Sequence, residues 1–338
     1  MADNLPDHEF TQALEAIESE NISDLEKVDL LVQIATGLQV KPKSSQQLHN
    51  AVVLYNKALD ICPQNEVLLL ARTQARKGTA LQAIPDGTTE FLLKAQAEYE
   101  SSLPVLYKMG TKEEAAEAEM NLGLVLQSLA GMNAIPITES IKAYQRALKV
   151  FTRHAYPTEY AILHNNLATV YLSIPMTDER SKMREAMAVQ SFQEALKVVT
   201  LIDQPTEYAM LQNNLGNALQ YASSSHAVEN NLRALEAYEE ALKVRTPEDT
   251  PYEYANTICN KANCLRNLPD DLEKPEEGNR DRLRAARDLY RGAHDIFVRY
   301  NDMAKVQVIA ETLSELEADI GTGVSGSRKG KGFGESRI

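Results

Sequence analysis

Apolar residues recur every three or four positions along most of the chain, and no stretch shows the polar–apolar alternation of a half-buried strand. The pattern begins with Phe10, Leu14 and Ile17 and returns between Leu25 and Val32. Proline, glycine and serine clusters interrupt it at intervals that suit single helices. The pattern therefore predicts an all-α fold of successive helices.

Two phrases repeat in the second half of the chain. The first reads Pro-Thr-Glu-Tyr-Ala from Pro157 and from Pro205, and Pro-Tyr-Glu-Tyr-Ala from Pro251, so its copies begin 48 and 46 residues apart. A second phrase, Tyr-Gln-Arg-Ala-Leu-Lys-Val from Tyr144, precedes the first copy, and variants of it precede the other two. Self-similarity at a fixed period of this size is typical of a solenoid, in which each unit packs on its neighbours.

The residues around each copy of the first phrase predict a helix start. Pro157, Pro205 and Pro251 are expected at the first helical position, where no N–H is needed. Thr250 and Glu253 flank the third proline and fit a capping box, in which the two side chains bond the backbone reciprocally.

The strength of the repeats divides the chain into three parts. Residues 1–87 are interpreted as a helical region with divergent repeats, and residues 88–320 as a regular array closed by a capping helix. Residues 321–338 are rich in glycine and serine and carry four basic residues against one acidic residue, which predicts disorder. The apolar seam of the capping helix would consist of Val306, Ile309, Leu313, Leu316 and Ile320.

The repeats resemble tetratricopeptide repeats, whose pattern runs Leu-Gly/Ala-x-x-Tyr and then Ala-x-x-x-Phe/Tyr. The matching residues are Leu167, Ala168 and Tyr171 with Ala188 and Phe192, and Leu215 and Gly216 with Ala234 and Tyr238. The period is longer than the standard 34 residues, and the Asn-Asn-Leu-Ala wording looks most like the kinesin-light-chain type, which also occurs widely in bacterial proteins.

This resemblance covers roughly residues 90–318 and implies a right-handed α-solenoid of helix-turn-helix repeats with long inter-helix loops. It implies that Ala168 and Gly216 let paired backbones approach, and that the aromatic residue of each pair packs on the next unit. It says little about function, because function depends on the surface that a fold presents.

In such arrays the first helix of each pair lines a concave face. If those helices begin near Ala161, Ala209 and Ala255, the face includes Ile162, Leu172, Ser173, Met210 and Cys259 and many carboxamides. The polar candidates of the face are Asn165, Thr169, Asn213, Asn217, Gln220, Tyr221, Asn256, Asn263, Arg266 and Asn267. A second row before the leucine or its equivalent consists of Asn121, Asn166, Asn214 and Asn260. These fourteen candidates are called the amide stripe.

Two interpretations of the amide stripe remain open. Asparagine donates and accepts hydrogen bonds at once, so a ladder of asparagines suits an extended, sequence-tolerant segment of a partner protein. Alternatively, the amides bond neighbouring helices to each other, as most buried amides do. A charged clamp for a C-terminal carboxylate is not expected. The positions eight after each helix start contain no lysine, since they are Leu124, Thr169, Asn217 and Asn263.

Composition narrows the functional classes. The chain has 338 residues, 43% of them apolar and 25% charged, which is typical of a folded soluble protein. Its net charge of −13 argues against binding nucleic acid, whose phosphates attract lysine and arginine. No apolar run is long enough to cross a membrane, no secretory signal is visible, and the three cysteines favour a reducing, cytoplasmic location.

No motif predicts catalysis, a metal or a cofactor. Cys259 and Cys264 lack the spacing of zinc ligands and are expected in the core. The Gly-x-Gly-x-x-Gly run from Gly321 follows a helix rather than a strand, so it is interpreted as linker.

The prediction is a non-enzymatic scaffold, adaptor or assembly factor that binds a partner protein segment. The alternative is a regulatory receptor for a short peptide or small ligand. A monomer is favoured, because a dimer would need apolar residues on the side of the last helix opposite its seam. That side carries the polar residues Glu311 and Ser314.

Overall fold

The computed structural model describes residues 22–85, 88–174, 180–222 and 226–322, together with residues 10, 14, 15 and 17. Within these ranges the regular structure is entirely helical, with thirteen α-helices and one short 3-10 turn. The helices are α1 (Asp24–Val40), α2 (Ser45–Ile61), α3 (Val67–Gln82), α4 (Glu90–Met109), α5 (Lys112–Gly131), α6 (Thr138–Ala147), α7 (Pro157–Ser173), α8 (Ser181–Ala195), α9 (Pro205–Gln220), α10 (Ala227–Leu242), α11 (Pro251–Arg266), α12 (Arg280–Arg299) and α13 (Met303–Thr322).

Helices that are neighbours in the sequence are neighbours in space. Each odd-numbered helix up to α11 packs most extensively on the even-numbered helix that follows it, which makes six hairpins, and α13 packs on α12. The predicted all-α class, built from sequential helical pairs, is therefore confirmed. The chain forms two compact units, residues 1–156 and residues 157–338. The predicted boundary at 87/88 falls between α3 and α4. The division into divergent repeats before it and regular repeats after it stays a prediction.

One aromatic ring of the second helix lies at the centre of each hairpin. These rings are fully buried, and they belong to Tyr55, Tyr99, Tyr144, Phe192, Tyr238 and Tyr290. At Gly78, Gly123 and Gly216 of the first helices, the ring lies directly on the glycine. A Cβ added at Gly216 would lie 2.5 Å from Cε1 of Tyr238, and one at Gly123 would lie 2.4 Å from Cε1 of Tyr144.

This packing corrects one prediction. The aromatic ring reaches back to the first helix of its own hairpin, where it lies on the glycine. Its packing on the next unit stays a prediction. Gly216 therefore makes room for the ring of Tyr238, and the close contact there is between backbone and side chain and not between two backbones. Ala218 and Leu219 beside it are buried in the same helix.

We expect Gly216→Ala to destabilise the second unit by about 1–3 kcal/mol, the usual range for overpacking a filled core. The new methyl group would overlap Tyr238, although alanine is the better helix former. Gly292→Ala is the matched control, because its Cβ would meet only Cδ1 of Ile258, at 3.8 Å. That variant should gain up to about 1 kcal/mol from helix propensity. Urea unfolding followed by circular dichroism measures both, and shifts of the same sign would contradict the assignment.

The two repeated phrases meet in a hydrogen-bonded triad. In the hairpin of α7 and α8, the Tyr160 hydroxyl donates to Glu194 at 2.7 Å, and Lys197 pairs with the same carboxylate at 2.5 Å. The next hairpin repeats this arrangement, with the Tyr208 hydroxyl donating to Glu240 at 2.9 Å. The hydrogen bond from Lys197, followed by that from Tyr160, lowers the pKa of Glu194. These contacts within the hairpin therefore explain why the tyrosine recurs in the first phrase and Glu-Ala-Leu-Lys recurs in the second.

The helix starts follow the sequence prediction in part. Pro157, Pro205 and Pro251 each begin a helix, as predicted. The capping box at Thr250 is wrong, because Thr250 makes no side-chain cap bond; its hydroxyl accepts from the Thr246 backbone N–H at 3.2 Å.

The predicted seam of the last helix faces the C-terminal core. Ile309 and Leu316 are fully buried there, and Val306, Leu313 and Ile320 pack partly against the same cluster. The helix continues to Thr322 and so includes the first two residues of the predicted tail. The remainder of that predicted tail lies outside the described residues.

Candidate partner-binding surface

The small residue beneath each aromatic ring provides a common reference position in the first helices. The reference residues are Ala35, Gly78, Gly123, Ala168, Gly216 and Ala262. The residues one and four positions later are polar in most hairpins, and several of them belong to the amide stripe. The structure shows what these residues bind.

The residues at these two positions form hydrogen bonds with the hydroxyl groups of the buried tyrosines. The Tyr238 hydroxyl lies 2.8 Å from Oδ1 of Asn217 and 2.8 Å from Oε1 of Gln220, and one phenol proton can serve only one of them at a time. The Tyr290 hydroxyl donates to Asn263 at 2.5 Å. The equivalent bonds elsewhere join Tyr55 to Thr36 and Gln39, Tyr99 to Thr79, and Tyr144 to Gln127. Asn217, Gln220 and Asn263 thus each hold a hairpin together.

The hairpin of α7 and α8 is the exception that explains the pattern. Its ring is Phe192, which has no hydroxyl, and the position after Ala168 is Thr169. Thr169 donates instead to the backbone oxygen of Asn165 at 2.9 Å. The fourth position after the reference residue follows the ring: it is Leu172 in this hairpin and polar in the five hairpins whose ring carries a hydroxyl.

A second set of amides joins first helices to each other. Oδ1 of Asn213 on α9 accepts from the Thr257 hydroxyl at 3.2 Å and from Nδ2 of Asn260 at 3.4 Å, both on α11. Nη1 of Arg245 donates to the same threonine at 3.0 Å. All four side chains are buried. This is the structural alternative that the sequence left open, and it holds for this pair of asparagines.

The last helix covers the amide stripe on α11. Nζ of Lys305 donates to Oδ1 of Asn256 at 2.6 Å and lies 4.6 Å from the ring centre of Tyr252. Nη2 of Arg266 lies 3.6 Å from Glu315. Sequence reasoning missed Lys305, because nothing in its spacing marks it as the residue that covers a helix two elements away.

The amide stripe on α11 is consequently enclosed and not exposed. Asn256, Asn260, Asn263 and Arg266 are each at most 5% exposed. Asn267 is half-buried, and its Nδ2 donates to the backbone oxygen of Asn263 at 3.1 Å. The part of the stripe open to a partner is therefore on α7 and α9.

On α7 and α9 several amide atoms are shielded from solvent and have no hydrogen-bond partner among the described residues. They are Oδ1 of Asn165, Nδ2 of Asn166, Nδ2 of Asn213 and Nε2 of Gln220. Nδ2 of Asn165 donates to Oδ1 of Asn166 at 3.5 Å, the limit of a hydrogen bond. An unmet buried amide group costs about 1–3 kcal/mol. Asn214 beside them is half-buried and Tyr221 is partly exposed. Asn213 is enclosed between α9 and α11, so the amides that a further polar group can reach are the half-buried Asn165, Asn166, Asn214 and Gln220.

His164 lies next to these amides. Its ring centre is 4.3 Å from that of Tyr160, and its Nδ1 is buried without a hydrogen-bond partner in the part of the chain that the structure describes. Burial lowers the pKa of His164, with the charge of Glu194 opposing this effect and that of Lys197 adding to it. The neutral ring is therefore the form that the fold favours.

We expect His164 to make stability pH-dependent. Because its folded-state pKa lies below the ordinary value of 6.5, the unfolded chain takes up the proton first as the pH falls. The stability contributed by neutral His164 is complete above that value and declines below it. His164→Gln should flatten the loss of melting temperature between neutral and mildly acidic pH. His154→Gln, at an exposed position, is the control, and identical pH profiles for the two variants would contradict the prediction.

In the first unit, Asn121 lines a pocket of about 170 Å³ between α3 and α5. Arg72 and Arg76 from α3 and Glu117 from α5 line the same pocket. The sequence prediction included only Asn121 here, because the arginines belong to a hairpin whose sequence matches the repeat pattern weakly.

The cysteines have the character of core residues. All three are buried. Burial raises the pKa of Cys264 to about 12 and also raises the pKa of Cys259 and of Cys62. Sγ of Cys264 donates to the backbone oxygen of Asn231 at 2.8 Å. Among the described residues no group of His, Cys, Asp and Glu is arranged to hold a metal ion. No helix in the described ranges combines the length and apolarity needed to cross a membrane.

No family model matches the chain, and a search of curated proteins found no match. Among solved structures, the chain is similar to a Rap protein complexed with competence and sporulation factor. The sequence identity is 12%, the match covers 95% of this chain and 83% of that chain, and the TM-score is 0.38. It is also similar to a circular tandem repeat protein with novel repeat topology, at 14% identity over 93% of this chain and 75% of that chain, with a TM-score of 0.28. TM-scores this low carry no argument, so the fold class rests on the helices and their packing.

Proposed function

We propose that the protein is a scaffold or adaptor that binds an extended segment of a partner protein along α7 and α9. The observation that carries the proposal is that the half-buried Asn165, Asn166 and Gln220 each keep an amide atom without a hydrogen-bond partner among the described residues. The backbone of an extended segment carries N–H donors and C=O acceptors in alternation, which is the complement of such a surface. Binding would supply the hydrogen bonds that the free protein lacks.

The recognition is expected to be mainly neutral. The open part of the stripe contains Asn165, Asn166 and Asn214, none of which is charged. Ile162 on α7 is 42% exposed and Met210 on α9 is partly exposed, so the partner's apolar side chains have places to pack. Affinity should therefore depend weakly on salt, in contrast to binding through charged groups.

A selection experiment tests this function. The full chain is immobilised and used to select peptides from a random display library, and the dissociation constant of a selected peptide is measured by fluorescence anisotropy at low and high salt. We expect peptides that bind with little salt dependence and compete with one another. A selection that enriches no peptide, or only peptides whose binding disappears in high salt, would contradict the proposal.

The second candidate function is a receptor for a small ligand. The feature that favours it is separate from the amide atoms of α7 and α9: it is the pocket of about 170 Å³ between α3 and α5. A pocket of this volume holds several water molecules or one small organic ion.

A further inference from the structure

Two first helices of the first unit present opposite charges across this pocket. The α3 stripe consists of Arg72, Arg76 and Thr79, and the α5 stripe consists of Glu114, Glu117 and Asn121. Each stripe advances by seven residues, so its members lie on one face of their helix. The stripes therefore make three facing pairs of residues, which are called rungs. The first rung is Arg72 and Glu114, the middle rung is Arg76 and Glu117, and the third rung is Thr79 and Asn121.

The first rung is closed by an ion pair. Nε and Nη2 of Arg72 donate to the two carboxylate oxygens of Glu114 at 2.7 and 3.2 Å. Glu114 is also held by the backbone N–H of Thr111 at 2.8 Å, as part of a capping box. Burial opposes ionisation of Glu114, but the hydrogen bonds from Arg72 and Thr111 outweigh it and lower its pKa. This end of the pocket is fixed before any ligand arrives.

The third rung is partly occupied as well. The Thr79 hydroxyl is 2.8 Å from the Tyr99 hydroxyl and 3.3 Å from the backbone oxygen of Ala75. Asn121 lies opposite and is half-buried at the wall of the pocket. Its amide is the one polar group of this rung that the hairpin bonds do not use, within the part of the chain that the structure describes.

The middle rung is open. Arg76 and Glu117 both line the pocket and are both exposed. In the described ranges neither forms an ion pair or a hydrogen bond through its side chain, although each faces a group of opposite charge on the other helix. Ala75 and Ala118 beside them are small and leave the space between the two charges unfilled.

We propose that this pocket binds a free α-amino acid as a zwitterion, with its carboxylate on Arg76 and its ammonium group on Glu117. A guanidinium group binds a carboxylate through two parallel hydrogen bonds, and a carboxylate accepts from an ammonium group. A simple anion would meet the charge of Glu117, and a simple cation would meet that of Arg76. A ligand that carries both charged groups on one carbon atom satisfies the two residues together. Asn121 is placed to accept from or donate to the same ligand.

The side chain of the ligand is expected to be small. The remaining walls are Ala75, Ala118 and Leu106, and the pocket volume is about 170 Å³. This inference does not rest on the proposed binding of a partner segment, since it concerns other residues in the other unit. Either can fail without the other.

Calorimetric titration of the full chain with L-alanine tests the proposal. The comparison ligands are ethylamine, which lacks the carboxylate, propionate, which lacks the ammonium group, and N-acetyl-L-alanine, in which the amine is blocked. We expect only L-alanine, and free amino acids of similar size such as glycine and serine, to bind and to raise the melting temperature. Arg76→Gln and Glu117→Gln should each weaken binding about tenfold or more, because each removes a hydrogen bond to a charged group.

A charge exchange makes the test specific. Arg76→Glu alone and Glu117→Arg alone should abolish binding, and the double variant should restore it, because a zwitterion can turn end for end. Arg280→Gln, at an exposed position in the other unit, is the control and should bind as the natural protein does. All the substituted positions are exposed, and circular dichroism verifies that the variants fold.

Three outcomes overturn the proposal. The first is that L-alanine, glycine and serine all fail to bind. The second is that ethylamine or propionate binds as well as L-alanine. The third is that a peptide with adjacent lysine and glutamate side chains binds while free amino acids do not, which would assign the open rung to a protein partner.

Discussion

Tyr238→Ala is expected to lower the free energy of unfolding by about 3–5 kcal/mol, the usual range for removing a large buried side chain. The ring is fully buried and lies on Gly216, so its loss leaves a cavity that a glycine backbone cannot fill. The loss also removes the hydroxyl that Asn217 and Gln220 share, and it leaves these amides without that bond. Urea unfolding monitored by circular dichroism measures the change.

Tyr238→Phe separates the two contributions. It keeps the ring and removes only the hydroxyl, so it should cost about 1–3 kcal/mol, the range for leaving a buried polar group unmet. The matched control is Tyr300→Ala at the end of α12, where the side chain is exposed and makes a ring contact with Tyr252. That variant should stay within about 0.5 kcal/mol of the natural protein. Comparable losses for Tyr238→Ala and Tyr300→Ala would show that the ring is not the centre of its hairpin.

The combined replacement of Asn165, Asn166 and Asn214 by alanine is expected to lower the affinity for a selected peptide by one to two orders of magnitude or more. Each lost neutral hydrogen bond contributes about 0.5–1.5 kcal/mol, and a factor of ten corresponds to about 1.4 kcal/mol. The melting temperature should change little, because alanine is a good helix former and the three side chains are only half-buried. Fluorescence anisotropy and a thermal melt of the same sample give both quantities.

Asn260→Ala is the control for this prediction, because it removes a buried asparagine that bonds α11 to α9 through Asn213. It should lower the melting temperature and leave the affinity unchanged. The opposite pattern, with affinity lost in Asn260→Ala and unchanged in the triple variant, would place the binding surface elsewhere. Unchanged affinity with a lowered melting temperature in the triple variant would make the whole stripe structural.

The local chemistry of the chain was sufficient to predict the helices. Pro157, Pro205 and Pro251 begin helices as their spacing predicts, because a proline at the first helical position lacks an N–H that would have no intrahelical partner. The all-α class followed from the apolar period, and the seam of the last helix, including Ile309 and Leu316, followed from its steps of three and four. These properties depend on residues close together in the sequence.

The direction in which a side chain packs depended on tertiary structure. The spacing of Tyr238 does not show which residue its ring contacts, and only the folded chain places the ring on Gly216. The capping box at Thr250 was wrong for a related reason, because the preceding turn directs its hydroxyl to Thr246. A short phrase does not specify the path of the loop beside it.

The functions of the asparagines were decided by the helices that pack over them. Asn213 and Asn214 are adjacent in the sequence, yet the first is buried against α11 and the second remains half-buried. Asn256 resembles the open amides in position but is enclosed, because Lys305 of α13 lies over it. Successive residues of a helix point about a quarter-turn apart, so the pattern along one helix shows which residues share a face. Whether that face is open or covered depends on a helix about fifty residues away, and only the folded chain brings that helix into place.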